Sequence, residues 1–337
     1  MVTELIYSKQ FHKHNSASHP ENEKRLTIMM NAIQQSNLLQ DLKIIEPFLM
    51  EEEMLYDVHS EEMIEHVIQA SKQEGNWIDL DTYVSKDDYL TARYAAGGIL
   101  QACYDILDGT ADNAFGLVRP PGHHATPNRS MGFCLFNNAA IAAHQLSKQG
   151  KKVLIFDPDV HHGNGTQDIF CSRKDVLYQS LHLSPHFPGT GAIDEIGTGE
   201  GTGYTNNAPL HYGHGAIVAT QVLETIFLPI AQQFKPDFII ISTGFDSHHT
   251  DVLGGLRYTI NFFGRIIKYY QDIQPHIVCT LEGGYSLDWI GRCLLSQLGQ
   301  LTGNPQEFPD TIREDPEGTA IITELHEKLG KYWKLPS

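Results

Sequence analysis

The sequence predicts an α/β protein of three layers, with a mainly parallel central sheet between two layers of helices, and three observations carry that prediction. Short apolar runs of strand length alternate with longer helical stretches. The apolar runs are near-continuous in Val, Ile, Leu and Phe, as strands buried on both faces require. The links between them are short, which suits helices that return the chain to the same edge of a sheet.

In chain order, residues 24–35, 61–72 and 89–107 have amphipathic helical spacing and are expected to pack around the sheet. Strand-type runs then fall at 114–118, 153–157, 176–181, 237–242 and 276–281, and helical stretches at 137–148, 215–234 and 258–271 lie between them. No linker rich in Pro, Gly or Ser, no repeat and no low-complexity tract divides the chain. A single domain over residues 1–337 is expected, with 41% hydrophobic residues to fill its core.

With 24 Lys plus Arg against 41 Asp plus Glu, the formal charge is -17, which repels phosphate backbones and anionic lipid. Direct nucleic-acid and membrane binding are not expected. A cationic substrate would be attracted. The cysteines Cys103, Cys134, Cys171, Cys279 and Cys293 are odd in number and include no Cys-x-x-Cys pair, so neither a disulfide framework nor a thiolate zinc site is predicted. The N-terminus lacks a basic segment followed by an apolar stretch, and no apolar run approaches the roughly 20 residues that span a bilayer. These features predict a soluble, cytoplasmic protein.

In open α/β sheets ligands bind beyond the carboxyl ends of the strands, and four polar clusters stand there. They are Arg119-Pro120-Pro121-Gly122-His123-His124, then Asp157 to Asn164, then Gly244-Phe245-Asp246-Ser247-His248, and finally Glu282-Gly283-Gly284-Tyr285. Asp159 and His161, two apart in extended chain, point the same way and can share one ion, which Asp246 would complete. Three protein ligands with a fourth position for water describe a catalytic zinc site, whereas structural sites are closed by four ligands. An isolated Asp-x-His more often caps a helix or forms an ion pair, and the company of three other clusters decides against that here. The tandem His123-His124 offers two imidazoles in different roles, with Asp157 and Asn164 close enough in sequence to orient them. Tyr285, after two glycines, offers a phenol to a substrate carbonyl.

In this order the clusters resemble the zinc-dependent histone deacetylases of the arginase/deacetylase fold, above all the class II and bacterial histone-deacetylase-like amidohydrolases. The resemblance runs from His19-Pro20-Glu21 and Arg25-Leu26 through Asp81-Thr82-Tyr83, Gly132-Phe133-Cys134, Ser180-Leu181-His182 and Pro188-Gly189-Thr190-Gly191 to Leu281–Tyr285. It implies a zinc ion on Asp159, His161 and Asp246, with His123 paired to Asp157 and His124 to Asn164. Class I members have Asp at the last position, so Asn164 places the chain nearer class II. It also implies Tyr285 as the transition-state donor, Phe133 and Phe187 with Gly132 as tunnel walls, Asp81 as the rim carboxylate and Arg25 beside an internal acetate exit. Structural potassium is implied on the carbonyls of Asp157, Asp159 and His161, with Ser180 and Leu181. A second potassium site would involve Phe170, Arg173, Val176 and Tyr204, where Arg173 replaces the family's usual Thr or Ser.

The implied reaction is hydrolysis of an acyl group from the ε-amino group of lysine in a protein or peptide. His124 would act as base and then acid, and His123 as a charged neighbour. A related acetylpolyamine amidohydrolase shares these residues and differs at the tunnel mouth, where Leu253 stands in place of that enzyme's Glu. An arginase-type pair of manganese ions would need further carboxylates where Asn164 and His248 stand. A degenerate acyl-lysine binder would have lost a ligand or the tyrosine, and none is lost. Two carboxylates and one imidazole also accommodate Fe²⁺ or Co²⁺.

Overall fold

A computed structural model describes residues 1–336. Among the described residues there are ten strands: β1 (Thr3–Ile6), β2 (Leu42–Ile45), β3 (Asn76–Trp77), β4 (Tyr83–Val84), β5 (Asn113–Gly116), β6 (Val153–Asp157), β7 (Val176–Leu183), β8 (Thr205–Leu210), β9 (Phe238–Thr243) and β10 (Ile277–Leu281). Eight of them form one sheet in the order β2-β1-β5-β10-β9-β6-β7-β8. Every pairing in that sheet is parallel. β3 and β4 form a separate antiparallel ribbon.

The central strands are the ones the apolar runs predicted, and their burial explains why. Every residue of β5, β6, β7, β9 and β10 is buried, so both faces are covered by helices and no polar alternation is needed. The helices Asp88–Leu107 and Asn138–Lys148 pack on each other and over these strands, and Lys24–Gln35, Ile260–Gln271 and Ile290–Thr302 pack together as a second group.

Three strands of the sheet differ from expectation. β8 reads Thr-Asn-Asn-Ala-Pro-Leu, too polar to register as a strand, yet Asn206 and Asn207 are buried and bonded to Gln179 and Gln167. Its Pro209 is tolerated because β8 is an edge. β1 and β2 lie in the N-terminal third, which therefore extends the sheet as well as packing around it. Buried Glu4 of β1 is tied to Lys43 of β2 at 3.0 Å.

The stretch predicted helical at 215–234 is continuous but changes pitch, with a π turn at Leu223–Phe227 between the helices Ala216–Val222 and Leu228–Phe234. Contrary to the expectation of no long apolar run, Ala216–Phe234 is long and apolar enough to span a bilayer. Val218, Val222, Ile226, Phe227 and Ile230 are fully buried in the fold, which accounts for the composition as that of a core helix.

Candidate active site

The four polar clusters leave the carboxyl ends of β5, β10, β9 and β6, which are neighbours in the sheet. The loop after β7, the next strand, adds His186 and Phe187. Strands far apart in sequence thus deliver their loops to one cleft, whose cavity of about 260 Å³ is lined by Asp81, Pro121, His123, His124, Gly132, Phe133, Asp159, His161, His186, Phe187, Leu253, Gly283 and Tyr285.

At its base, His161 Nδ1 lies 3.1 Å from Asp159 Oδ1 and 3.4 Å from Asp246 Oδ2. Both carboxylates are fully buried, and Asp246 Oδ2 has no hydrogen-bond partner. Burial alone would push the His161 imidazole down, but the adjoining carboxylates of Asp159 and Asp246 push it up to about 10. Two buried carboxylates converging on one imidazole call for a positive charge between them. The donor atoms of all three residues lie within 4.8 Å of one another, and the orphaned carboxylate oxygen asks for a positive partner, so these residues fit a metal ion. The Gly283 N–H donates to Asp159 Oδ2 at 2.9 Å, and a Cβ on Gly283 would collide with both aspartates.

The two adjacent histidines are made unequal by their partners. His123 Nδ1–H donates to Asp157 Oδ2 at 3.1 Å, and Tyr178 donates its hydroxyl to the same oxygen at 3.1 Å. Burial opposes a charge on His123, yet Asp157, Asp159 and the hydrogen bond to Asp157 together push it up to about 10. His124 Nδ1–H donates to the neutral Asn164 Oδ1 at 2.8 Å. Burial, followed by the charges of His123 and His161, holds His124 well below the usual histidine range. At neutral pH one ring carries a charge, and the other keeps a free lone pair at Nε2. Gly132 lets the opposite wall close on His124, since a Cβ there would stand 2.5 Å from its Cδ2.

Tyr285 is 9% exposed and lines the cavity beside Phe133, whose ring is edge-on to it at 5.9 Å. Phe133 holds φ 69°, a left-handed conformation that costs a non-glycine residue about 1–3 kcal/mol and persists where the surroundings fix it. Phe187 is 40% exposed and meets His124 edge-on at 5.1 Å, so two aromatic walls flank the approach. Asp81 and Leu253 stand at the mouth. Asp81 lies in the turn that joins β3 to β4, with Asp79 of the same turn held by Arg129 at 2.7 Å.

Several residues support the site through hydrogen bonds between segments far apart in sequence. Asp251 accepts the backbone N–H groups of Tyr285 (2.6 Å) and Ser286 (2.9 Å) at Oδ2 and of Leu253 (3.0 Å) at Oδ1, so one carboxylate fixes the phenol and the mouth together. Glu282 Oε2 accepts the N–H groups of Gly122 (2.6 Å) and His123 (3.1 Å), tying the β10 loop to the histidine pair. Burial pushes Glu282 up to about 7. Buried Arg25 donates to the carbonyls of Gly284 (2.7 Å) and Glu282 (2.6 Å) and to Glu21 (2.9 Å), and its guanidinium lies 5.0 Å from the Tyr285 ring. Glu21 is also bridged by buried Arg119 through Nε and Nη2 and by His14 at 3.1 Å. In sequence Glu21, Arg25, Arg119 and Glu282 stand in the named clusters whereas Asp251 does not, and Glu21 precedes the first helix, Lys24–Gln35, which carries Arg25.

Of the residues singled out for potassium, Asp157 and Ser180 are register partners on β6 and β7, next to Asp159, His161 and Leu181. In the second set, Phe170 and Tyr204 carbonyls already accept the N–H groups of Arg173 and Tyr178. The Arg173 guanidinium pairs with Asp175 and lies 5.3 Å over the Phe170 ring, while Val176 opens β7.

Comparison with known proteins identifies relatives of the whole chain. A family model described as a histone deacetylase domain matches residues 19–301. A protein of Archaeoglobus fulgidus named probable deacetylase is 38% identical, with 99% of each chain covered. Histone deacetylase HDA1 of Saccharomyces cerevisiae is 34% identical over 94% of this chain, which spans 49% of the yeast protein. Among solved structures, the HD domain of HDA15 superposes with a TM-score of 0.93 at 34% identity, covering 98% of this chain and 95% of that one.

Proposed function

Because the chain belongs to the histone deacetylase family, we propose that it is a zinc-dependent hydrolase removing acetyl groups from the ε-amino group of lysine in proteins or peptides. The observation that carries this reading is the unequal histidine pair above Asp159, His161 and Asp246, at the end of an aromatic-walled cleft.

Asp159, His161 and Asp246 would hold the zinc, which supplies a Lewis acid and a water acidified towards neutrality. His124, neutral and fixed in tautomer by Asn164, takes a proton at Nε2 and returns one to the departing amine. His123, kept charged by Asp157, contributes a positive field without giving up its proton. Tyr285 offers its phenol to the developing oxyanion, with Arg25 against its ring and Asp251 on its backbone. Phe133 and Phe187 flank an alkyl stem, and Asp81 at the mouth can accept N–H groups from a substrate backbone. A structural potassium would use the backbone carbonyls of Asp157, Asp159 and His161 with Ser180 and Leu181. The charge of Arg173 disfavours a second ion near Phe170, Val176 and Tyr204.

Leu253 favours a peptide over a polyamine, since an apolar side chain at the mouth offers no partner to a distant ammonium. The test is kcat/KM on an acetyl-lysine peptide beside N-acetylputrescine and N-acetylspermidine, with a chelator-treated control. A preference for peptide of tenfold or more, about 1.4 kcal/mol of transition-state discrimination, is expected. The opposite preference transfers the reading to an acetylpolyamine amidohydrolase, and turnover that survives the chelator refutes the metal.

A further inference from the structure

Outside the cleft, His248, His249 and Asp310 form another convergence of ligand-type side chains. His248 Nε2 lies 3.0 Å from Asp310 Oδ2 and His249 Nε2 lies 2.8 Å from Asp310 Oδ1. These separations are close to the 3.1 and 3.4 Å within the cluster at the base of the cleft. His248 and Asp310 side chains are 1% and 3% exposed, while His249 at 15% leaves one side open to solvent.

The far side of His248 is arranged as it is for a ligating imidazole. Its Nδ1 lies 2.9 Å from Thr250 Oγ1, which lies 2.7 Å from Ser286 Oγ. The Thr250 N–H also approaches Nδ1, at 3.4 Å, so the tautomer that donates Nδ1–H to Thr250 Oγ1 and turns the Nε2 lone pair towards Asp310 is the one that a bound metal would select. The two rings lie 4.4 Å apart, and a single carboxylate serves both.

We propose that His248, His249 and Asp310 form a second divalent-metal site of the zinc class, with water in the remaining position. The histidines sit in the loop after β9, which also carries Asp251, the acceptor for Tyr285 and Ser286 N–H groups. Asp310 comes from the segment after the helix Ile290–Thr302, and its Oδ2 also accepts the Ile260 N–H at 2.8 Å. An ion there staples the C-terminal segment and the start of the helix Ile260–Gln271 to the loop that holds the phenol donor. The site rests on its own ligands and not on the lysine-deacetylase reading.

The test is a count of bound zinc in the full chain after chelator stripping, saturation with zinc and desalting. Wild type should retain one more zinc per chain than His249→Ala, and Asp246→Asn should lose the ion of the cleft while keeping the outer one. Cobalt added to stripped Asp246→Asn should give visible d–d bands that disappear when His249→Ala is added. Asp310→Asn reads the same loss by a second route, and circular dichroism establishes that each variant is folded. Equal zinc in folded wild type and His249→Ala, or no metal in folded Asp246→Asn, would overturn the proposal and leave the cluster a hydrogen-bonded latch.

Discussion

Replacing Asn164 by Asp puts a carboxylate where a neutral amide oxygen now accepts the His124 Nδ1–H at 2.8 Å. His124 is buried, and its neighbours His123 and His161 both oppose its protonation. A new negative charge about 4 Å from the imidazolium centre would favour the charged ring by roughly 4 kcal/mol at an effective dielectric constant of about 20. That is an upper bound of ~3 pKa units, since the carboxylate must itself be desolvated and His123⁺ nearby takes part of its field. The expected rise is therefore about 1–3 units. The sign follows directly: a raised pKa means that more of the base is protonated at a given pH, so the acid limb of kcat/KM moves to higher pH. The assay is the pH profile of kcat/KM on one acetyl-lysine peptide, with wild type and variant loaded with the same metal so that its contribution cancels. Asn164→Ala, which removes the acceptor without adding charge, should lower kcat and leave the limb below that of Asn164→Asp. An active Asn164→Asp enzyme whose acid limb does not move, or moves down, would refute His124 as the base.

Two further outcomes follow from the same geometry. Tyr285→Phe should lower kcat by a factor of roughly 10² to 10³ while zinc content stays at the wild-type level, measured by turnover and metal analysis on one sample. Full activity, or loss of the metal, would remove Tyr285 from the role of oxyanion donor. Arg119→Met should destabilise the fold by about 3 kcal/mol in urea unfolding, because Glu21 stays buried with only Arg25 and His14 to compensate it. A change below about 1 kcal/mol would mean that those two partners already suffice.

Covalent neighbours were legible in the sequence because local chain geometry alone relates them. The alternation that marks a parallel sheet, the position of polar clusters just past apolar runs, and the two-residue spacing of Asp159 and His161 all belong to this class. So does the helical stretch at 215–234, although its π turn does not, since the change of pitch depends on what packs against it. Residues Asp159, His161 and Asp246, with His123, His124 and Tyr285, could be named because each lies at a strand end, and parallel strands carry their carboxyl ends to one side.

What the tertiary structure decided are quantities that depend on distant neighbours. Adjacent in sequence and identical in chemistry, His123 and His124 differ because burial acts on both while His123 meets the charged Asp157 and Asp159 and His124 meets the neutral Asn164 and the charges of His123 and His161. Asp251 and Glu282 gain their roles from backbone N–H groups 34 and 160 positions away, and Asp310 meets His248 across 62 positions. The polar strand β8 exists because β7 offers an edge and Gln167 and Gln179 satisfy its asparagines. Short-range patterns arise from bond geometry and are written along the chain. Electrostatic and hydrogen-bonding environments arise from which strands become neighbours, and the order of this sheet fixes that only once the chain has folded.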